Sequence, residues 1–157
     1  MNNRQDGFWQ LIVRKGQVLI PTMARTEAGF YLAVEPIVVV DSRNFDAVAA
    51  AFLDAIHRGN PIVPTPSRDN YPPSLLLKYS NAKSLPAFEK SAQRWKLGRY
   101  SAEYAVVPYR PGRNGGSEED VGSRETFSIA EPIESVVGRL IERALGGSSS
   151  AERRVTS

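Results

Sequence analysis

The stretch FWQLIVRKGQVLIPTMARTEAGFYLAVEPIVVVDSRNFDAVAAAFLDAIHRG, residues 8–59, decides the fold. Residues 8–15 alternate apolar and polar, with Trp9, Leu11 and Val13 on one side. That period of two is the mark of a strand. Gly16 marks a turn, and residues 17–24 read as a second strand in which Pro21 signals an edge or a bulge. Thr26 to Gly29 form another turn, and residues 30–40 a third strand with an interruption at Pro36. Three strands joined by short turns make an antiparallel meander. The period then changes. Asp41 and Ser42 are N-cap candidates, and Phe45, Val48, Ala49, Phe52 and Ile56 share one face of a helix over 43–58 that Gly59 stops.

Outward from this block the chain becomes irregular. Five prolines in residues 59–74 exclude a helix and hold an extended loop. Residues 75–79 suit either a buried strand or the start of a helix. Ser84 caps a short helix that would turn Leu85, Phe88 and Ala92 inward. Residues 93–100 alternate again, with Trp95 and Leu97 opposite Arg94 and Lys96. A strand follows at 103–109, then a glycine-rich loop at 110–123. A strand at 125–130 would point Phe127 and Ile129 inward. A last helix over 133–145 carries the stripe Ile133, Val136, Val137, Leu140, Ile141 and Ala144. The expected architecture is α+β: a mainly antiparallel sheet of about six strands, covered by two main helices plus one short helix. Residues 1–146 form a single domain, and 147–157 a disordered tail.

The 157 residues contain one histidine and no cysteine. Thiolate metal sites, disulfides and Cys/His dyads are excluded. His57 stands in the last turn of a helix, where a cation suits the dipole, and reads as structural or solvated. Neither a phosphate loop nor a dinucleotide fingerprint is present. No enzyme, metal or cofactor is expected. The N-terminus lacks a signal peptide pattern and no apolar run approaches the ~20 residues that span a bilayer, so the expected location is the cytoplasm, with no membrane partner.

The net charge of +3 is unevenly distributed. Residues 93–113 carry Arg94, Lys96, Arg99, Arg110 and Arg113 against Glu103, a net of +4; residues 114–132 carry a net of −4, led by Glu118, Glu119 and Asp120. The two blocks are either solvated strand faces that cancel or a bipolar surface that steers a partner. The acid run sits in the predicted 110–123 loop. It is either a solvated connection or a partner contact. Trp9 and Trp95 fall on apolar strand faces, which places them in the core and not on a nucleic-acid stacking platform.

Three features carry a family resemblance: the N-P-x-V-P-T-P loop at 60–66, the K-Y-x-x-x-K-S-x-x-x-F-E-K stretch at 78–90, and the final apolar helix. Over roughly residues 7–145 the chain resembles immunity proteins of bacterial contact-dependent growth inhibition systems, in the class typical of Burkholderia and its relatives. The resemblance implies a cytoplasmic protein that binds the toxin domain of a cognate surface adhesin, in a 1:1 complex, and neutralises it. Such toxins are commonly nucleases. This chain departs from the acidic inhibitors of basic nucleases, since it is basic overall. The partner-binding candidates are Glu118, Glu119, Asp120, Arg110 and Arg113, together with Arg68, Asp69 and Tyr71 of the proline loop. Two alternatives stay open: a nucleic-acid-binding module using the basic 93–113 segment, and an adaptor subunit without a toxin partner.

Overall fold

The computed structural model describes residues 4–67, 75–112 and 117–146. Strands β1 (Gln5–Arg14), β2 (Gln17–Thr26) and β3 (Tyr31–Asp41) form the expected meander, followed by α1 (Phe45–Arg58). Lys15 and Gly16, with φ of 48° and 80°, make the tight turn of the first hairpin, the double positive φ that matches strand twist. After α1 come a two-residue strand β4 (Ile62–Val63) and two short helices, α2 (Leu75–Ser80) and α3 (Leu85–Ser91). Then follow β5 (Gln93–Tyr100), β6 (Glu103–Pro111), β7 (Ser117–Glu119), a 3-10 turn at Val121–Ser123, β8 (Glu125–Ser128) and α4 (Ile133–Ile141), which continues as a π turn, Glu142–Gly146.

The eight strands form one sheet in the order β3-β2-β1-β5-β6-β7, with β8 on β6 and β4 on β2. Every pairing is antiparallel except β2 with β4. The six strands read from the sequence are all present. The two additional ones, β4 and β7, span only two and three residues. β7 and β8 run in succession along the same edge of β6, and the turn between them is held there by Asp120 N–H donating to Pro108 O at 2.8 Å.

The sheet is buried on two faces. Trp9, Leu11, Val18, Ile20, Trp95, Leu97 and Val106 meet Val48 and Phe52 of α1 and Val136, Val137 and Leu140 of α4. This is the expected core, and each fully buried aliphatic side chain there contributes about 1.5–3 kcal/mol. On the opposite face Ile12, Leu19 and Ile37 meet Leu76 of α2 and Phe88 of α3. The second layer encloses Arg14, which alternation sets on the face of β1 opposite Trp9, Leu11 and Val13. The side chain is buried, with Nε donating to Ser91 Oγ at 2.7 Å and Nη1 to Ser80 O at 3.0 Å, so the guanidinium ties β1 to both short helices.

Local departures have local causes. The carboxylate of Asp41 is occupied by Arg43, so Asn44 caps α1 instead, its Oδ1 accepting from Ala47 N–H at 3.1 Å. The β2–β3 register shifts between Pro21 and Thr22, opposite a bulge at Glu35 and Pro36, whose peptide bond is cis. Leu85, expected inward, is 46% exposed because it opens a seven-residue helix that buries Phe88 alone. Ile129, also expected inward, is exposed because β8 ends at Ser128 and the alternation stops there.

Asn60, just past α1, enters the sheet itself. The β1–β2 ladder pairs Ile12–Arg14 with Gln17–Leu19. Beyond it the strands part, and the Asn60 amide fills the fork. Its Oδ1 accepts from Phe8 N–H at 3.2 Å, and its Nδ2 donates to Phe8 O and to Met23 O, both at 2.8 Å.

Candidate functional site

The second sheet face divides in two. The short helices cover its β1–β2–β3 end, while its β1–β5–β6–β7 end carries aromatic and charged residues in register. Cross-strand pairing sets Gln10 opposite Lys96, Phe8 opposite Gly98 and Lys96 opposite Val107. Tyr109 pairs with Glu119 on β7. Strand alternation therefore puts Phe8, Lys96, Tyr100, Tyr109 and Glu119 on this face.

Lys96 is the centre of the arrangement. Only 4% exposed, its Nζ donates to Glu119 Oε2 at 3.0 Å and to the Tyr100 hydroxyl at 3.3 Å. It also stands 5.6 Å from the Phe8 ring centroid, and Phe8 stacks on Tyr31 at 4.9 Å. The Tyr100 hydroxyl donates in turn to Gln5 Oε1 at 2.9 Å. Burial by itself would pull the ammonium down, but the hydrogen bond and charge of Glu119, with help from Tyr100, outweigh it and hold Lys96 above its ordinary value. The neighbouring Tyr109 phenol is pushed up by burial first and then by the charge of Glu119.

Gly98 makes this packing possible. A Cβ there would lie 3.1 Å from both Lys96 Cε and Tyr100 Cε2. A glycine inside a strand is a signal of such close approach, and it was the one available clue in the sequence to this cluster. Gly7 plays the same part on the opposite face, where a Cβ would come within 2.6 Å of the Trp9 ring.

At the outer end of this face, α3 and the β5–β6–β7 edge enclose a cleft of about 680 Å³. Its walls are Leu85, Pro86, Ala92, Tyr109 and Pro111, with Lys90 and Arg110 among the charged residues that line it. Arg94, at its base, is held by Glu89 at 3.2 Å.

The predicted site residues are redistributed by this geometry. The acid run is not a loop: Glu118 and Glu119 belong to β7, and alternation sends them to opposite faces. Glu118 binds Arg110 at 3.0 Å, Glu119 binds Lys96, and Asp120 lies 4.0 Å from Arg110. Arg110 is thus the hub for two of the three acids. Arg99 pairs with Asp6, and Arg124 with Glu103. The basic and acidic blocks therefore meet at two places, Lys96 with Glu119 and Arg110 with Glu118, while Arg94 and Arg99 pair with Glu89 and Asp6 outside the acidic block and Glu125 pairs with Arg139. Of the basic block, read as either a solvated strand face or part of a bipolar surface, Lys96 is buried and Arg94 partly buried. Arg113, Arg68, Asp69 and Tyr71 lie outside the described residues, as does the tail from 147 onward. His57 is exposed at the end of α1. Among the described residues, no cluster of histidine and carboxylates suits a metal ion, and no helix is long and apolar enough to cross a membrane.

No family model matches the chain, and no curated protein matches its sequence. Solved structures do match its fold. One is a protein of unknown function from Neisseria meningitidis, with a TM-score of 0.60 and 10% identity, covering 89% of this chain and 93% of that one. Another is a chain of the CdiA-CT/CdiI toxin and immunity complex from Yersinia pseudotuberculosis, with a TM-score of 0.56 and 12% identity, covering 89% of this chain and 95% of that one. At these identities the likeness is one of fold.

Proposed function

We propose that this chain is an immunity protein that binds and neutralises the toxin domain of a contact-dependent growth inhibition adhesin, acting in the cytoplasm and without catalysing a reaction. The observation that carries the reading is the shared fold, over nearly the whole chain, with a component of a toxin and immunity complex. The proline loop and the K-Y-x-x-x-K-S-x-x-x-F-E-K stretch, which resemble the same class of proteins, support it from the sequence side. Their Burkholderia-like character belongs to this proposal. So does a nuclease as the toxin's activity.

The charge arrangement disfavours the nucleic-acid alternative. Affinity for a phosphate backbone comes from cations free to displace counterions. Arg94, Lys96, Arg99 and Arg110 are each already held by a carboxylate.

The test is co-expression with the toxin domain encoded immediately upstream. Survival of the host and co-purification as a 1:1 complex are expected. Survival without a complex, or a complex that leaves the toxin active, overturns the proposal.

A further inference from the structure

We propose that the cleft between α3 and the β5–β6–β7 edge receives an apolar side chain carried on an acidic loop of the toxin domain, an inference that rests on the immunity reading above.

Shape and composition point to an apolar anchor. The cleft's volume falls within the roughly 300–1,000 Å³ typical of sites that enclose a ligand. Leu85 is 46% exposed at its mouth, although the helix that bears it is otherwise committed to the core through Phe88. Pro86, Ala92 and the Tyr109 ring extend the apolar wall. An exposed leucine beside a concave apolar surface leaves a seat without an occupant in the free protein.

Charge selects what accompanies that anchor. Among the described residues, the lining holds Lys90, Arg94 and Arg110 against a single carboxylate, Glu89. Glu89 is spent on Arg94, and Arg110 is engaged by Glu118. The exposed Lys90 has no carboxylate partner among the described residues. One free cation beside an apolar seat complements a carboxylate next to an apolar side chain. A nucleic-acid backbone would ask for several free cations, and among the described residues the cleft offers one.

The walls are already fixed. Ser91, at the end of α3, accepts from Arg14; Gln93 Nε2 donates to Tyr109 O at 2.9 Å; and the Lys96–Glu119 pair holds β7 to the sheet. A seat built in advance spares the ordering cost that binding otherwise incurs.

The experiment measures the affinity of the full chain for the purified upstream toxin domain. Leu85→Asp and Lys90→Glu each change an exposed side chain, and circular dichroism melts confirm that both fold. Each is expected to weaken binding by about ten-fold or more, the size of a hot-spot loss. Lys90→Arg, which keeps the charge, and Asp54→Lys on the exposed side of α1 are expected to stay within about two-fold. If the parent binds and both cleft variants bind as tightly, the cleft assignment falls while the immunity reading stands. If the parent does not bind at all, both fall. Variants that abolish self-association or RNA binding, with toxin affinity unchanged, would give the cleft to a second copy or to nucleic acid and overturn the proposal.

Discussion

Glu119 Oε2 lies 3.0 Å from Lys96 Nζ across the whole width of β6, so a single ion pair joins two strands that are not neighbours in the sheet. The lysine is nearly enclosed and the carboxylate about one-third exposed. That asymmetry determines how the pair responds to mutation.

Removing the carboxylate strands the buried cation, whereas removing the lysine leaves a carboxylate that water can reach. Glu119→Ala is expected to lower unfolding free energy by about 1–3 kcal/mol. Lys96→Met should cost within about 1 kcal/mol, because an apolar side chain of similar length replaces the buried charge. Glu118→Ala and Asp120→Ala, on exposed pairs, should each cost about 0–1 kcal/mol. Urea unfolding of the four variants checks the order. Equal losses for Glu118 and Glu119 would contradict it.

The same pair has a pH signature. The folded-state value of Lys96 is raised above the ordinary 10.5. Its contribution to stability is therefore fully present below that value and is lost as pH rises through the higher folded-state one. In Glu119→Gln the raising charge is gone and burial acts with less opposition, so the Lys96 midpoint should fall. A side-chain NMR titration of the ammonium reads this directly.

Asp41 provides the acidic counterpart. Hydrogen bonds from the Arg43 guanidinium, then from the Arg43 backbone N–H, lower its carboxyl from 3.8 to about 2. The carboxylate's contribution is present above 3.8 and is lost as pH falls toward 2. Arg43→Ala should move the Asp41 midpoint part of the way back to 3.8, because the backbone N–H remains. A carboxyl NMR titration that shows no movement would refute this assignment of cause.

The two close-packed glycines should differ in tolerance. A methyl at Gly98 meets the far ends of Lys96 and Tyr100, which can shift. A methyl at Gly7 meets the fully buried Trp9 ring at 2.6 Å. Gly7→Ala is expected to cost about 1–3 kcal/mol as an overpacked site, and Gly98→Ala less. Melting temperatures, with tryptophan emission reporting on Trp9, would separate the two.

Leu140 is fully buried in the main core. Leu140→Ala should cost roughly 2–5 kcal/mol. An unchanged melting temperature would mean that α4 does not rest on the sheet.

The first half of the chain was the more legible. In β1, β2 and α1 each apolar period is long enough to name its element, and Trp9, Leu11, Val48 and Phe52 pack as their spacing implies. The second sheet face was hidden for a physical reason. Alternation separates two sides of a strand, but it does not reveal whether a further layer covers the polar one. Arg14 and Lys96 look solvated until helices of six and seven residues and a three-residue strand close over them. The acid run misled in the same way. Three consecutive acids suggest a loop, yet pairing with β6 puts Glu118 and Glu119 in a strand, and each of the three carboxylates has a cation nearby. The cleft was beyond reach, since its walls come from segments joined only by the tertiary fold.

The Asn60 amide has a consequence for how the chain comes together. In the folded chain the first hairpin is paired from the Lys15–Gly16 turn only as far as Ile12 and Leu19. Above that point Phe8 and Met23 find their partner on a residue fifty-two and thirty-seven positions later, delivered by the end of α1. The three bonds that close the fork therefore cannot form until residue 60 has been made, so the native joining of the sheet's first two strands waits on the end of the helix that follows them.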